Sequence, residues 1–239
     1  MRNYSWKNMT RKITLGRVSH GYDPKTLFSL IGHFCTTPLA VINQNSGKCR
    51  IIVNHSYLRN KQSTTLDSFA DISTLKHIIH PAITSINTVI DSKQFQCTWG
   101  SFSKCYLLVA DAIEGCRATV FGVDSTFHNI PISPSTRCFL AIMIRGKIHI
   151  DHVLNFGASP LPGVFGRVAN AVVRIFLSWG VEAVIKWVNN FIFFHYPAGP
   201  KQGATDNYRY SSTLIWKITE ELGWPWAPTK FVDFSTVSM

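Results

Sequence analysis

The chain has 239 residues, 46% of them hydrophobic and 15% charged, with a formal net charge of +11. That length and apolar content mark a globular chain able to bury a substantial core, as one large domain or two tightly joined subdomains. The positive charge fits a polyanionic partner and is unevenly placed, because residues 1–62 hold ten Lys/Arg against one acid, Asp23.

The six cysteines (35, 49, 97, 105, 116, 138) form no Cys-x-x-Cys pair and stand near no paired His spacing, which argues against a zinc site and for a reducing, intracellular setting, cytoplasmic or nuclear. Arg174, Glu182 and Lys186 interrupt the best candidate for a membrane span, so no membrane partner is expected. The N-terminus lacks the apolar region of a secretory signal.

Taken in order, residues 1–26 read as a basic, partly disordered lead. Asp23-Pro24 can start a helix over 25–34, with Leu27, Leu30 and Ile31 on one side. Strands over 38–43 and 49–54 follow, joined by the turn formers Gln44-Asn45-Ser46-Gly47. The stretch 61–110 connects regions, with a loop near Pro81 and a helix over 101–112 entered through Trp99-Gly100. Cys105, Leu107, Leu108 and Ala112 read as its core positions. An apolar strand starting at Arg117 runs to a polar break before Phe127. Strands over 139–144 and 147–152 pair around Arg145-Gly146, and a Gly/Ser/Pro loop leads at Pro162 into a helix reaching about Trp179. That helix carries two apolar stripes, Val164/Val168/Val172/Ile175 and Phe165/Ala169/Phe176, so most of it should be buried.

The stretch VEAVIKWVNNFIFFHY (181–196) organises the rest. Two β-branched and aromatic runs flank Asn189-Asn190, and Asn tolerates the left-handed backbone of tight turns, so a buried hairpin with Asn-Asn at its tip is expected. A polar loop over 199–210, a helix over 212–222 closed by Gly223, and a strand near Lys230–Phe234 complete the chain.

Several of these stretches, in this order, resemble the reverse transcriptases of retroelements. TTPLAVINQNSGKCRIIVNHSYLRN (36–60) is similar to their fingers hairpin, where a Lys-x-Arg pair grips the triphosphate of the incoming nucleotide; Lys48 and Arg50 stand there. RATVFGVDSTFHNIPI (117–132) resembles the segment carrying the first metal-binding Asp. Aligning Phe127-His128-Asn129-Ile130-Pro131 puts that Asp at Gly122, and Phe127 at the aromatic that excludes a ribose 2′-hydroxyl. Phe156 and Gly157 match the loop that contacts template and base. Trp187-Val188-Asn189-Asn190 matches aromatic-x-Asp-Asp, and Lys230 matches a lysine that can assist proton transfer to pyrophosphate.

The resemblance implies an α+β right-hand polymerase fold: fingers and their connection over 27–115, and a palm over 116–239 ending before the primer grip, thumb and RNase H. It implies a template-primer of RNA or DNA, dNTPs, and Mg²⁺ held by three aspartates for two-metal phosphoryl transfer. Here those three positions are Gly122, Asn189 and Asn190, a formal change in ligand charge from −3 to 0. Mg²⁺ prefers hard anionic oxygens, so two-metal binding should be lost and the chain should fold without polymerising. Asp124, two residues beyond Gly122 and on the same face if the strand continues, is the remaining weak metal candidate. Asn54, Asn189 and Asn190 each replace a family Asp, a single G-to-A change each, as in a decaying element copy. Three further readings stay open: a weakly active polymerase using Asp124, a basic nucleic-acid-binding module without catalysis, and a relic with no role.

Overall fold

Alternating apolar residues and well-formed turns build two units, each assembled from two separate stretches of chain. The computed structural model describes residues 9–37, 39–43, 49–53, 79–80, 99–155, 161–199 and 207–236. One unit comprises Met1–Phe95 with Phe127–Leu161, and the other Gln96–Thr126 with Pro162–Met239.

In the first unit, helix α1 (Pro24–Ile31) starts where Asp23 accepts a hydrogen bond from the Lys25 amide at 3.0 Å, with proline in its first turn. It buries Leu27 but leaves Leu30 and Ile31 exposed, so the expected three-residue apolar face reduces to one anchor. Strand β1 (Phe34–Thr37) follows at once, where the helix had been expected to continue. It lies between β4 (Ile79–His80) and β6 (Ala141–Ile144), parallel to both, and β6 pairs antiparallel with β7 (Lys147–Ile150). The β6–β7 turn has positive φ at both Arg145 (51°) and Gly146 (72°), the backbone of a type I′ hairpin and the turn expected from sequence. A separate hairpin joins β2 (Leu39–Asn43) to β3 (Cys49–Val53), also as expected.

From Met9 onward the N-terminal lead is more ordered than its composition suggests. Residues 9–14 are helical, and Met9 and Val18 are each 2% exposed in a cluster with Val53 and Ile142. Apolar positions this sparse have no readable period, yet two of them suffice to pin the segment.

The second unit is built on a fully antiparallel sheet in the order β10-β5-β9-β8, with β5 Arg117–Gly122, β8 Ala183–Trp187, β9 Asn190–His195 and β10 Val232–Thr236. Phe121, Phe191 and Phe193 are completely buried. Phe121 is the hub, its ring centroid 4.8–5.4 Å from those of Phe231, Trp226, Trp216 and Phe193. Burying each such ring contributes ~1.5–3 kcal/mol. Helix α3 (Leu161–Ser178) adds Phe176, 4.8 Å from Phe193, and helix α4 (Ser212–Leu222) adds Ile215 and Ile218 before Gly223 ends it in the left-handed conformation at φ 62°.

By length and composition α3 is apolar enough to cross a membrane, although Arg174 had suggested otherwise. Its stripe Leu161, Phe165, Ala169, Val172 and Phe176 is instead buried within the protein, while Val168 on the other expected stripe is 40% exposed. Helix α2 (Phe102–Ala110), capped by Ser101, corrects another expectation. It buries none of its residues, and Phe102, Tyr106 and Leu107 are exposed, so its apolar positions are not core.

Candidate active site

The central hairpin forms, but one residue out of step with the expected tip. Trp187 pairs with Asn190, so the two-residue turn is Val188-Asn189 and Asn190 opens β9. Asn190 is held in the ladder by pairing on both sides, with Trp187 of β8 and Gly122 of β5, so the turn falls one residue earlier. The turn is left with Val188 at φ +51°, where a β-branched side chain is strained and glycine is the usual occupant. Val188→Gly is therefore expected to stabilise the fold by about 1 kcal/mol, the strain relieved outweighing the added chain entropy. Thermal melting should show a rise of roughly 2–4 °C.

Strand pairing brings three of the sequence-identified positions together. Gly122 ends β5 directly opposite Asn190 of β9, and the Val123 amide donates to the Asn189 carbonyl at 2.7 Å. Directly opposed residues of an antiparallel pair place their β-carbons on one face about 4.5–5.5 Å apart, so side chains at 122 and 190 would converge. Asn190 is exposed and Gly122 is buried.

Lys230 belongs to the same cluster. The Ala227 amide donates to the Gly122 carbonyl at 2.8 Å, and the turn Pro228–Lys230 then lays the lysine stem over the glycine. A β-carbon built at Gly122 would lie 2.5 Å from Cδ, 2.8 Å from Cβ and 3.3 Å from Cγ of Lys230. The space a larger residue would use is filled by an alkyl chain ending in a cation.

Asp124 does not extend this arrangement. β5 ends at Gly122, so strand alternation does not carry to residue 124, which is exposed and accepts a hydrogen bond from the Ser125 hydroxyl at 3.2 Å. Phe127 is 7% exposed in the turn Thr126–Asn129, which opens the second stretch of the first unit. Arg50 lies in β3 opposite Ile42. Lys48, Phe156, Gly157 and Asn54 lie outside the described residues.

No protein-family model matches the chain, and no curated protein does. Solved structures do. A foamy viral protease-reverse transcriptase in complex with double-stranded DNA aligns over 93% of this chain and 30% of its own, with 11% identity and a TM-score of 0.56. Another structure of the foamy viral protein with double-stranded DNA aligns over 96% and 35%, at 11% identity and 0.55. A complex with an RNA/DNA hybrid aligns over 83% and 21%, at 13% identity and 0.52. The fold is reverse-transcriptase-like. The chain spans about a third or less of the length of these proteins.

Enzymes of this fold typically use Mg²⁺, and the donor set here does not suit it. Gly122 offers no ligand atom, Asn189 and Asn190 offer neutral carbonyls, and Lys230 brings a positive charge to the same strand end. Among the described residues no three His, Cys, Asp or Glu side chains are grouped to hold a metal ion.

Proposed function

We propose that this chain is a retroelement-derived reverse-transcriptase-like domain, fingers and palm, that contacts nucleic acid and does not polymerise. The observation that carries the reading is the pairing of Gly122 with Asn190 under the Lys230 stem. Two-metal transfer needs a concentration of anionic oxygen at that point, and this chain supplies none from those positions. Losing one well-placed neutral donor in an active site costs ~3–4 kcal/mol of transition-state stabilisation. Losing three charged ligands should lower the rate on the order of 10⁴-fold or more, even though such losses need not add. Primer extension by the purified chain on an RNA template tests this: no product above background is expected, and extension sensitive to Asp124→Asn would establish the weakly active alternative.

Nucleic-acid contact is the second part of the proposal. Residues 1–62 carry most of the net charge, and the structural neighbours hold double-stranded DNA or an RNA/DNA hybrid. Affinity for a short RNA/DNA hybrid, read by fluorescence anisotropy, should fall about tenfold or more between about 50 and 200 mM salt, as counterion release requires. Replacing Lys48 and Arg50 by Ala should flatten that dependence. Salt-independent binding, or none, would leave the relic reading in its place.

A further inference from the structure

The strand end that does not suit Mg²⁺ is not bare. Trp187 of β8, Asn190 of β9 and Gly122 of β5 stand in one row across the sheet, each directly opposite the next. Directly opposed positions share a face, so the Trp187 indole and the Asn190 amide project on the side where a side chain at 122 would stand. Gly122 has none, and the Lys230 stem takes that place, its Cδ 2.5 Å from where a β-carbon would lie. On one face of the sheet the row therefore reads indole, amide, ammonium. It spans two strand spacings, about 10 Å.

All three groups are open to solvent, Trp187 at 55% exposure and Asn190 and Lys230 both exposed. An indole is usually claimed by burial, and every other ring of this sheet end that stacks on Phe121 is drawn into the core. Among the described residues no carboxylate pairs with Lys230, and Asp124, the acid nearest in sequence to Gly122, is engaged by the Ser125 hydroxyl at 3.2 Å. Strand alternation puts Val120, Ile192 and Ile185 next to the row on the same face, half-buried, as an apolar floor. An open aromatic face beside a cation is the pairing that holds single-stranded nucleic acid, the ring for a base and the charge for the backbone.

We infer that this row holds an unpaired nucleotide of a nucleic-acid strand without a metal ion. The base stacks on Trp187, the Asn190 amide hydrogen-bonds the sugar or base edge, and the Lys230 ammonium takes the phosphodiester. The cation that meets the phosphate is carried by the chain. The base must be unpaired at the row, because along a duplex both its faces are already stacked. This rests on the reading of the site as one that has lost its metals, and adds the form of strand it takes and the residues that hold it.

The test uses the whole chain and a short labelled oligo(dT), read by fluorescence anisotropy in EDTA and again in millimolar Mg²⁺ at matched ionic strength. Saturable binding that Mg²⁺ does not tighten is expected. Trp187→Ala, at an exposed position, should weaken it about fivefold or more, the worth of one base stack. Lys230→Gln keeps the stem carbons over Gly122 and should weaken binding several-fold. It should also lower the slope of log affinity against log salt by about 0.7, one phosphate contact on a single strand. Lys230→Arg should restore both, and Lys217→Ala, elsewhere on the same unit, should leave the slope unchanged. Because the basic residues 1–62 can also hold the strand, an oligo(dT) carrying 5-iodouracil is irradiated on the protein and the cross-linked peptide identified by mass spectrometry; attachment at Trp187 is expected in EDTA.

Primer extension by the same preparation separates the two readings. Product would overturn the loss of metals and this inference with it. No product, together with no cross-link at Trp187 or with affinity unchanged by Trp187→Ala and Lys230→Gln, would overturn the nucleotide site alone. Binding seen only with Mg²⁺, or a blunt duplex of the same length held as tightly through Trp187, would overturn it as well.

Discussion

Changing Asn189 and Asn190 to aspartate will leave the protein unresponsive to Mg²⁺, and adding Gly122→Asp to that pair will destabilise it. The reason lies across the sheet, in Lys230. A β-carbon at 122 meets the lysine stem at distances real β-carbons do not adopt, and the nearest part of the clash is not all flexible side chain. Lys230→Ala would still leave a β-carbon 2.8 Å from the new one, so only Lys230→Gly clears the position. Overpacking a buried site of this kind costs ~1–3 kcal/mol, before counting repulsion among three clustered carboxylates. With all four substitutions, Asn189→Asp, Asn190→Asp, Gly122→Asp and Lys230→Gly, the strand register places carboxylates at paired positions 122 and 190, with a third in the turn. Mg²⁺ at 100-fold above its dissociation constant then stabilises by about 2.7 kcal/mol, a rise in melting temperature of roughly 5–10 °C. Melts of the double, triple and quadruple variants with and without millimolar Mg²⁺ check this in one series. A clear Mg²⁺ response from the unaltered chain or the double variant would sink it, since those lack the third carboxylate.

Much of this arrangement could be read from residue order, and the parts that could not have identifiable causes. The bounds of α4 and its Gly223 stop, the Arg145-Gly146 turn and the pairing of the two apolar runs around residue 189 follow from local chemistry alone. The tip of that hairpin does not. Asn is the better left-handed residue, yet Val188 takes the positive φ, because the sheet holds Asn190 opposite both Gly122 and Trp187, and strand pairing outranks a turn preference. Lys186 misleads in the same way. It interrupts an apolar run in the sequence, but in the fold it is 7% exposed, its Nζ donating to the Gly166 carbonyl at 3.2 Å and lying 4.3 Å from the Trp99 ring centroid. A charge in the sequence is not always a solvated one. The approach of Lys230 to Gly122 was invisible for a simpler reason, since strand order, and not any motif, brings β10 beside β5.

The largest stability effect in the first unit should come from Asp151. It is 1% exposed, its carboxylate accepts a hydrogen bond from the Asn155 amide, and burial pushes its pKa up to about 7 despite the attraction of Lys12 and that hydrogen bond. Lys12 is itself lowered by burial, so the pair gains less from its charges than its proximity suggests. The direction of the linkage follows. The folded state holds this proton more tightly than the unfolded chain, whose aspartate ionises near 3.8. The stability Asp151 permits is therefore complete below about pH 4 and declines as pH rises through 7. A shift of about three units corresponds to roughly 4 kcal/mol above that range. Asp151→Asn keeps the shape and removes the ionisation, so it should stabilise the protein by up to that amount near pH 8 and by less, on the order of 1.5 kcal/mol, near pH 5. Lys12→Met should act oppositely, raising the Asp151 pKa further and carrying the loss of stability on to higher pH, since a single proton fixes its slope. Denaturant melts of the three proteins across pH 5–8 measure both effects. An Asp151→Asn difference that does not grow with pH would show that Asp151 ionises in the fold as readily as in the open chain, and that Lys12 and Asn155 fully offset its burial.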